Sequence, residues 1–172
     1  KDALGRTWQC GTIQLDMSLP ERFNLHFVDT DNERKRPIMI HRVIYGSIER
    51  FLGILVEHFA GRFPLWMSPF QAVILPMNDE LSVYAEEVKA RFDAAGLRAE
   101  VDRRTESLNR KVRESQLNQV PLTLTIGAKE KENGTLAVRT LDGKVAYGIS
   151  HDRFIAAVAE NIRQRAVTFE GF

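Results

Sequence analysis

A guanidinium set in the first turn of a helix is the clearest chemical signal in this chain. Gly46-Ser47-Ile48-Glu49-Arg50-Phe51 follows an apolar run and opens a helical pattern. Ser47 is a favoured N-cap and Glu49 suits the positive end of the helix dipole, whereas Arg50 does not. A cation there makes sense beside an anion, because free N–H groups, a helix N-terminus and a guanidinium together form a phosphate site. Spacing alone leaves this open against an ordinary solvated arginine. Thr12 and Gln14 share one face of a strand by period two, and Gln9 has the opposite parity unless Gly11 is a bulge. These polar groups either face water on an edge strand or present amide and hydroxyl groups to a ligand, where a wrong ligand would leave them unpaired. His41 stands in an apolar strand. A lone imidazole there is either a satisfied core residue or a metal ligand, and zinc would need about three protein donors.

The elements that must position these groups follow from periodicity. Residues 8–15 and 39–44 are predicted strands. Ile48, Phe51, Leu52, Leu55, Val56 and Phe59 recur at helical spacing and form one face expected to be buried. Pro20 begins a connection into a short strand, where Phe23, Leu25 and Phe27 alternate with Asn24 and His26; residues 29–36 are expected as a loop. Gly61 and Pro64 stop the helix, so residues 1–63 and 64–172 are expected to be two domains. In the second, strands are predicted over 72–75, 97–101, 122–126, 136–140 and 145–148. Asp79 is expected to cap a helix with Leu81, Tyr84, Val88 and Phe92 on one face, Ser107 a shorter helix over 108–117, and Ser150 a final one carrying Phe154, Ile155, Val158 and Ile162. Asn133-Gly134 and Asp142-Gly143 are hairpin signals. Together these elements give an α/β fold, an open mixed sheet with helices on both sides. No glycine-rich phosphate loop accompanies them, which argues against a nucleotide cofactor in this second domain.

Composition narrows the function classes. The 172 residues are 44% hydrophobic and 27% charged, as in ordinary globular proteins. Lys plus Arg number 24 against 23 for Asp plus Glu, a net charge of +1, so nucleic-acid binding would need local patches rather than bulk charge. Arg98, Arg103, Arg104, Arg110, Lys111 and Arg113 cluster, but Glu100, Asp102, Glu106 and Glu114 interrupt them, and by composition this is an ordinary charged surface. Cys10 is the only cysteine, which excludes a disulfide framework and fits a reducing cytosol. No signal peptide and no membrane-spanning apolar run is present. The chain opens on Lys1-Asp2 rather than Met, as a piece of a longer protein would.

The same residues carry a family resemblance. Gly46-Ser47-Ile48-Glu49-Arg50-Phe51 after a strand resembles motif 3 of class II aminoacyl-tRNA synthetases. The string from Gly5-Arg-Thr-Trp-Gln-Cys-Gly-Thr-Ile-Gln-Leu-Asp16 through Asp31-Asn-Glu-Arg34 and Pro37-Ile-Met-Ile-His-Arg42 resembles the threonyl branch of that family. The resemblance runs from Gly5 to the C-terminus. It implies a remnant of the antiparallel class II sheet with its motif 3 helix, followed by a three-layer α/β/α anticodon-binding domain. It further implies that Arg50 contacts ATP phosphates in catalysis, that Gln9 and Thr12 help seat ATP, and that Gln14, His41 and Ser47 line the threonine pocket. His41 would be one of three zinc ligands. The family's other two precede Lys1, and Cys10, His26, His58 and His151 do not match them, so no complete zinc site is expected here. In the family, zinc holds the amino and hydroxyl groups of threonine, which rejects valine. In the second domain the loop after the second strand and the later strand edges would meet the anticodon. Glu130 and Arg139 match base-reading positions, and Arg113 one near the loop. Thr105 and Ser107 depart from the asparagine and lysine of the pattern, so no contact is carried to them.

For the full enzyme the resemblance implies ATP, Zn2+ and Mg2+, threonine and tRNA(Thr) as partners, a homodimer, the cytoplasm and no membrane. Motifs 1 and 2 of the family are absent from these residues, so the 172-residue chain alone is expected to be inactive. A non-catalytic RNA-binding module and a structural domain that binds no RNA are the alternatives.

Overall fold

In the computed structural model, which describes residues 1–172, the chain folds as two units, Lys1–Ala60 and Gly61–Phe172. The first is built on an antiparallel pair, β1 (Thr12–Asp16) and β4 (Met39–Val43). The strand expected over 8–15 begins only at Thr12, because the preceding residues have other partners. The Trp8 indole donates to Asp2 Oδ2 at 2.9 Å. Gly11 passes so near the opposite strand that a Cβ there would lie 3.3 Å from the Val43 carbonyl oxygen.

The strand expected around Phe23, Leu25 and Phe27 is also displaced. Asp16 Oδ1 accepts from the amides of Ser18 and Leu19 at 2.8 and 3.0 Å, which starts a helical turn, α1 (Ser18–Arg22). Pro20 is tolerated there because first-turn N–H groups have no intrahelical acceptor. Only β2 (Phe27–Val28) remains extended, and it pairs with β3 (Arg34–Lys35) inside the stretch expected as loop. Lys35 Nζ closes that hairpin against Asp29 and Asp31 at 2.6 and 2.5 Å.

The helix α2 (Ile48–Phe59) has its predicted cap, Ser47 Oγ accepting from the Arg50 amide at 3.3 Å. Its apolar face is only partly covered, less than the periodicity argument expects: Phe51, Leu55 and Phe59 are half-buried, whereas Ile48, Leu52 and Val56 are 65%, 54% and 49% exposed. A unit of this size, made of short ribbons and one helix, has too little surface to cover them.

The second unit is a five-stranded sheet in the order β6-β5-β7-β8-β9. Its strands are β5 (Ala72–Pro76), β6 (Ala99–Val101), β7 (Leu122–Ile126), β8 (Thr135–Thr140) and β9 (Val145–Ser150). β5 is parallel to β6 and β7, and β8 and β9 add antiparallel. Two helices make the crossovers, α3 (Ser82–Ala94) from β5 to β6 and α4 (Leu108–Leu117) from β6 to β7. These crossovers run in opposite directions along the sheet, so right-handed connections place α3 and α4 on opposite faces. The last helix, α6 (His151–Arg163), joins α3: the rings of Phe92 and Phe154 stack at 4.9 Å. The result is the three-layer α/β/α arrangement with a mixed sheet.

Alternation along β7 divides the layers. Leu122, Leu124 and Ile126 enter the core with Val88, Phe92 and Phe154. Thr123 points to the other side, where its hydroxyl lies 2.9 Å from that of Ser115 on α4. The segment leading into β5 is latched by side chains. Buried Gln71 donates to the Leu65 carbonyl at 3.0 Å and accepts from the Arg98 amide at 2.9 Å, while the Arg98 guanidinium donates to the carbonyls of Trp66, Ser68 and Pro69.

Three local expectations are corrected. The helix capped by Asp79 begins instead with a single 3-10 turn, Asp79–Leu81. Ser107 occupies an N-cap position without a side-chain cap bond. Asn133-Gly134 makes no hairpin but ends a helix, α5 (Ala128–Asn133), with Gly134 left-handed at φ 61°. The same left-handed conformation serves a tight hairpin and a helix C-cap, and here Glu130 Oε2, accepting from the Gly127 amide at 3.0 Å, starts a helix. Asp142-Gly143 does turn β8 into β9, with the Gly143 amide donating to the Thr140 carbonyl at 2.9 Å. No helix is long and apolar enough to cross a membrane.

Two expectations follow. Phe92→Ala opens a cavity between α3 and α6 and should destabilise this unit by about 3–5 kcal/mol in denaturant unfolding. Buried His151 accepts at Nδ1 from Arg91 at 2.8 Å and faces Tyr84 Oη with Nε2. Burial first, and Arg91 second, push its pKa below the usual 6.5, against a smaller opposing effect of Asp152. A depressed imidazole gives stability that is present above its unfolded pKa and is lost as pH falls below it. The thermal midpoint should therefore drop between pH 7.5 and 5.5, about 1 unit to either side of that pKa, and His151→Gln should flatten the drop.

Candidate functional site

In the first unit the β1–β4 register sets the geometry. Gln14 lies opposite His41 and Thr12 opposite Val43, so Thr12, Gln14, Asp16 and His41 project from one face. Asp16 fixes the histidine: its Oδ1 is held by the two α1 amides, and its Oδ2 lies 3.0 Å from His41 Nε2. The Leu19 amide, followed by His41, lowers the Asp16 pKa. An ionised Asp16 accepts only, so Nε2 carries the proton of this bond. Gln9 lies outside the ladder, and its carbonyl accepts from an Arg50 Nη at 3.4 Å. The Arg50 guanidinium folds back over Gly46, where a Cβ would meet it at 2.9 Å. Ser47 spends its hydroxyl locally, capping Arg50 N and donating to Glu49 Oε2 at 2.6 Å.

Residue types alone did not single out Asp2. It accepts from the amides of Leu4 and Arg6, from Arg6 Nε at 2.6 Å and from the Trp8 indole. The Trp8 bond is the largest cause of its low pKa, about 2. Asp2 thereby sets the path of the chain into Gln9. A zinc ion needs about three protein donors, and no group of three His, Cys, Asp or Glu side chains in the chain is arranged to hold a metal ion. His41 could be one donor, but these residues do not by themselves form a zinc site.

In the second unit a hollow of about 220 Å³ opens at the carboxyl ends of β5 and β6, lined by Met77, Asn78, Ser82, Arg103, Thr105 and Ser107 among others. Open α/β sheets bind ligands at this end of their strands. Glu130 stands close by on α5: a Cβ on Gly127 would lie 2.8 Å from both Glu130 Oε2 and Met77 Sδ. Arg139 lies further along the sheet. It pairs with Thr123 and Val145, and its guanidinium donates to the Gly143 carbonyl at 3.2 Å in the β8–β9 turn. Arg113 is exposed on α4. The structure sets Glu130 near Met77 at the edge of the hollow, and none of Glu130, Arg139 and Arg113 lines it.

The basic cluster is a charged surface, as composition suggested, but most of its cations are already paired, and Lys111 alone of the six is buried. Arg98 is held by backbone carbonyls and Arg103 by Glu86 at 2.6 Å. Arg104 binds Asp102 at 2.6 Å and also Glu114, and Arg110 binds Glu106 and Glu114 at 2.9 and 3.0 Å. The Lys111 side chain is only 6% exposed and donates to the Asp102 carbonyl at 3.1 Å. The Arg104 hydrogen bond is the main reason the Asp102 carboxyl titrates below its usual range. Of the six clustered cations, Arg113 alone has no acidic or carbonyl partner.

Residues 71–161 match the family model of an anticodon binding domain, and residues 1–59 that of the class II tRNA synthetase core domain for G, H, P, S and T. Fold and site thus define a class II aminoacyl-tRNA synthetase core segment followed by an anticodon-binding domain. The chain is 64% identical over 168 residues to a threonine–tRNA ligase of Desulfosudis oleivorans, covering 98% of this chain and 26% of that protein. It is 67% identical over 165 residues to one of Desulfatibacillum aliphaticivorans, with 96% and 26% covered. The crystal structure of the RNA binding domain of threonyl-tRNA synthetase from Cryptosporidium parvum superposes with a TM-score of 0.80 at 36% identity, covering 98% of this chain and 41% of that one. The chain belongs to the threonyl-tRNA synthetase family. It spans about a quarter of the length of these curated relatives.

Gly127→Ala tests how the Glu130 carboxylate is held. The added methyl meets only the flexible ends of Met77 and Glu130, so the fold should survive while the carboxylate leaves the residue 127 amide. Faster hydrogen exchange at that amide, with an unchanged thermal midpoint, is the expected result.

Proposed function

We propose that this chain is part of a threonine–tRNA ligase, which activates threonine with ATP to threonyl adenylate and transfers it to tRNA(Thr). Residues 1–63 would supply the motif 3 end of the catalytic domain and residues 64–172 the anticodon-binding domain. The observation that carries this reading is the β1–β4 register. It sets Gln14 against His41 with Thr12 on the same face, and Arg50 reaches back from the α2 N-terminus to Gln9.

In this reading Gln9 and Thr12 seat ATP, and Arg50 offsets phosphate charge as the threonine carboxylate attacks the α-phosphate. A fixed guanidinium at a helix N-terminus lowers that barrier by charge stabilisation without any covalent intermediate on the protein. Gln14 and Ser47 line the threonine pocket with His41. Ser47 would then give up its bond to Glu49, which leaves the helix cap intact. His41, oriented by Asp16, supplies one ligand of a zinc ion whose remaining ligands lie outside these residues; bound zinc would act as a Lewis acid that polarises groups of threonine. Mg2+ would accompany ATP, and the full enzyme would act as a homodimer in the cytoplasm.

The anticodon would meet the hollow at the carboxyl ends of β5 and β6, with Glu130 and Arg139 reading bases and Arg113 near the loop. Single-stranded bases are recognised by stacking and by hydrogen bonds to their edges, with phosphates held by cations. The test is binding of the 172-residue protein to the anticodon stem-loop of tRNA(Thr) at low salt, measured by fluorescence anisotropy. Glu130→Ala and Arg139→Ala should each weaken binding about tenfold, while the chain alone should not aminoacylate tRNA. No binding by the wild-type chain, or unchanged affinity in both variants, would refute the RNA-binding part; robust aminoacylation would refute the assignment of the chain as an incomplete enzyme.

A further inference from the structure

The segment joining β6 to α4, residues 102–107, walls the hollow with Thr105 and Ser107, and it is stapled at both ends. At its start, Asp102, whose side chain is 9% exposed, accepts from the Arg104 amide and Nε at 3.0 Å each and from an Arg104 Nη at 2.6 Å. Lys111, on the second turn of α4, donates to the Asp102 carbonyl and holds its ammonium 4.0 Å from Asp102 Oδ1. At its far end, Glu106 pairs with Arg110. Arg104 and Arg110 then meet on Glu114, which joins the two ends through the helix. The cations beside the hollow are thus committed to carboxylates and carbonyls of the protein. What the wall still offers is hydroxyls, the Asn78 amide, the Asp79 carboxylate and backbone groups, which can hydrogen-bond to base edges.

We propose that Lys111 and Arg104 are positioning residues for RNA recognition: they hold the 102–107 loop in its binding shape through Asp102 and contact no phosphate themselves. This rests on the RNA-binding reading above. A loop already in shape avoids an ordering cost at the moment of binding. Phosphate contacts leave a signature that positioning does not, because each one steepens the salt dependence of binding, by about 0.7 per contact on single strands.

The experiment measures affinity of the anticodon stem-loop of tRNA(Thr) against salt for the wild-type chain, Lys111→Met, Asp102→Asn and Arg113→Ala, with amide hydrogen exchange of each protein without RNA. Asp102→Asn is decisive, since it keeps size and shape and removes the negative charge that Arg104 and Lys111 share. If those cations served phosphates, binding would tighten. The expected result is the reverse: Asp102→Asn and Lys111→Met each bind about tenfold more weakly with the wild-type salt slope, and the amides of residues 105–107 lose protection. Arg113→Ala, the control for a free cation, lowers the slope. Tighter binding by Asp102→Asn, a slope reduced in Lys111→Met as in Arg113→Ala, or unchanged exchange in the loop would overturn the proposal. If Lys111→Met unfolds, Asp102→Asn decides. If the wild-type chain fails to bind the stem-loop, the RNA reading falls, and the exchange data alone judge whether the loop is held as argued.

Discussion

The strict alternation Leu122-Thr123-Leu124-Thr125-Ile126 is the constraint on which the C-terminal unit depends. β7 lies in the middle of the sheet, and its two faces meet different solvents. One is a hydrocarbon layer that joins Phe92 of α3 to Phe154 of α6. The other meets α4 through a hydroxyl pair, Ser115 with Thr123. Slipping this strand by one residue would bury threonines among phenylalanines and turn leucines toward a polar helix, so the register is strongly specified.

A polar interface on the α4 side has a consequence for the site. Because α4 does not press a full apolar face on the sheet, its buried positions are Lys111 and Ser115, and Lys111 is satisfied by the backbone and carboxylate of Asp102. A buried ammonium without partners would be costly, whereas one bound to the loop after β6 ties that loop to the helix. The same packing choice that makes the layer polar therefore shapes the wall of the hollow where the β5 and β6 strands end.

The N-terminal unit is organised differently. It has almost no apolar core, and its order rests on carboxylates that each collect several donors. Asp2 gathers two amides, a guanidinium and an indole, and Asp16 gathers two amides and an imidazole. These bonds fix the stretch into Gln9 and the orientation of His41. Ile48, Leu52 and Val56 of α2 and residues of the outer ladder face, such as Ile13, Leu15 and Ile40, stay exposed. A core-domain segment one-third the size of the chain can thus keep its polar geometry without a hydrophobic interior of its own.

The sequence by itself determined the element types wherever period and cap agreed: the α2 helix with its Ser47 cap, the alternating β7 strand, the α6 helix after Ser150, and the mixed three-layer sheet. It also carried the synthetase resemblance, because that lies in short local strings such as Gly46 to Phe51. Tertiary structure decided what depended on distant partners. Asp16 started a helical turn where only a connection was expected and also reached His41, 25 residues away. Glu130 made Asn133-Gly134 a helix end instead of a hairpin. The charges around Arg104 and Lys111 form the charged surface that composition suggested, but composition does not reveal which cation faces which carboxylate. Only folding shows that five of the six are already bound, because an ion pair is set by the approach of two elements and not by the residue types on either one.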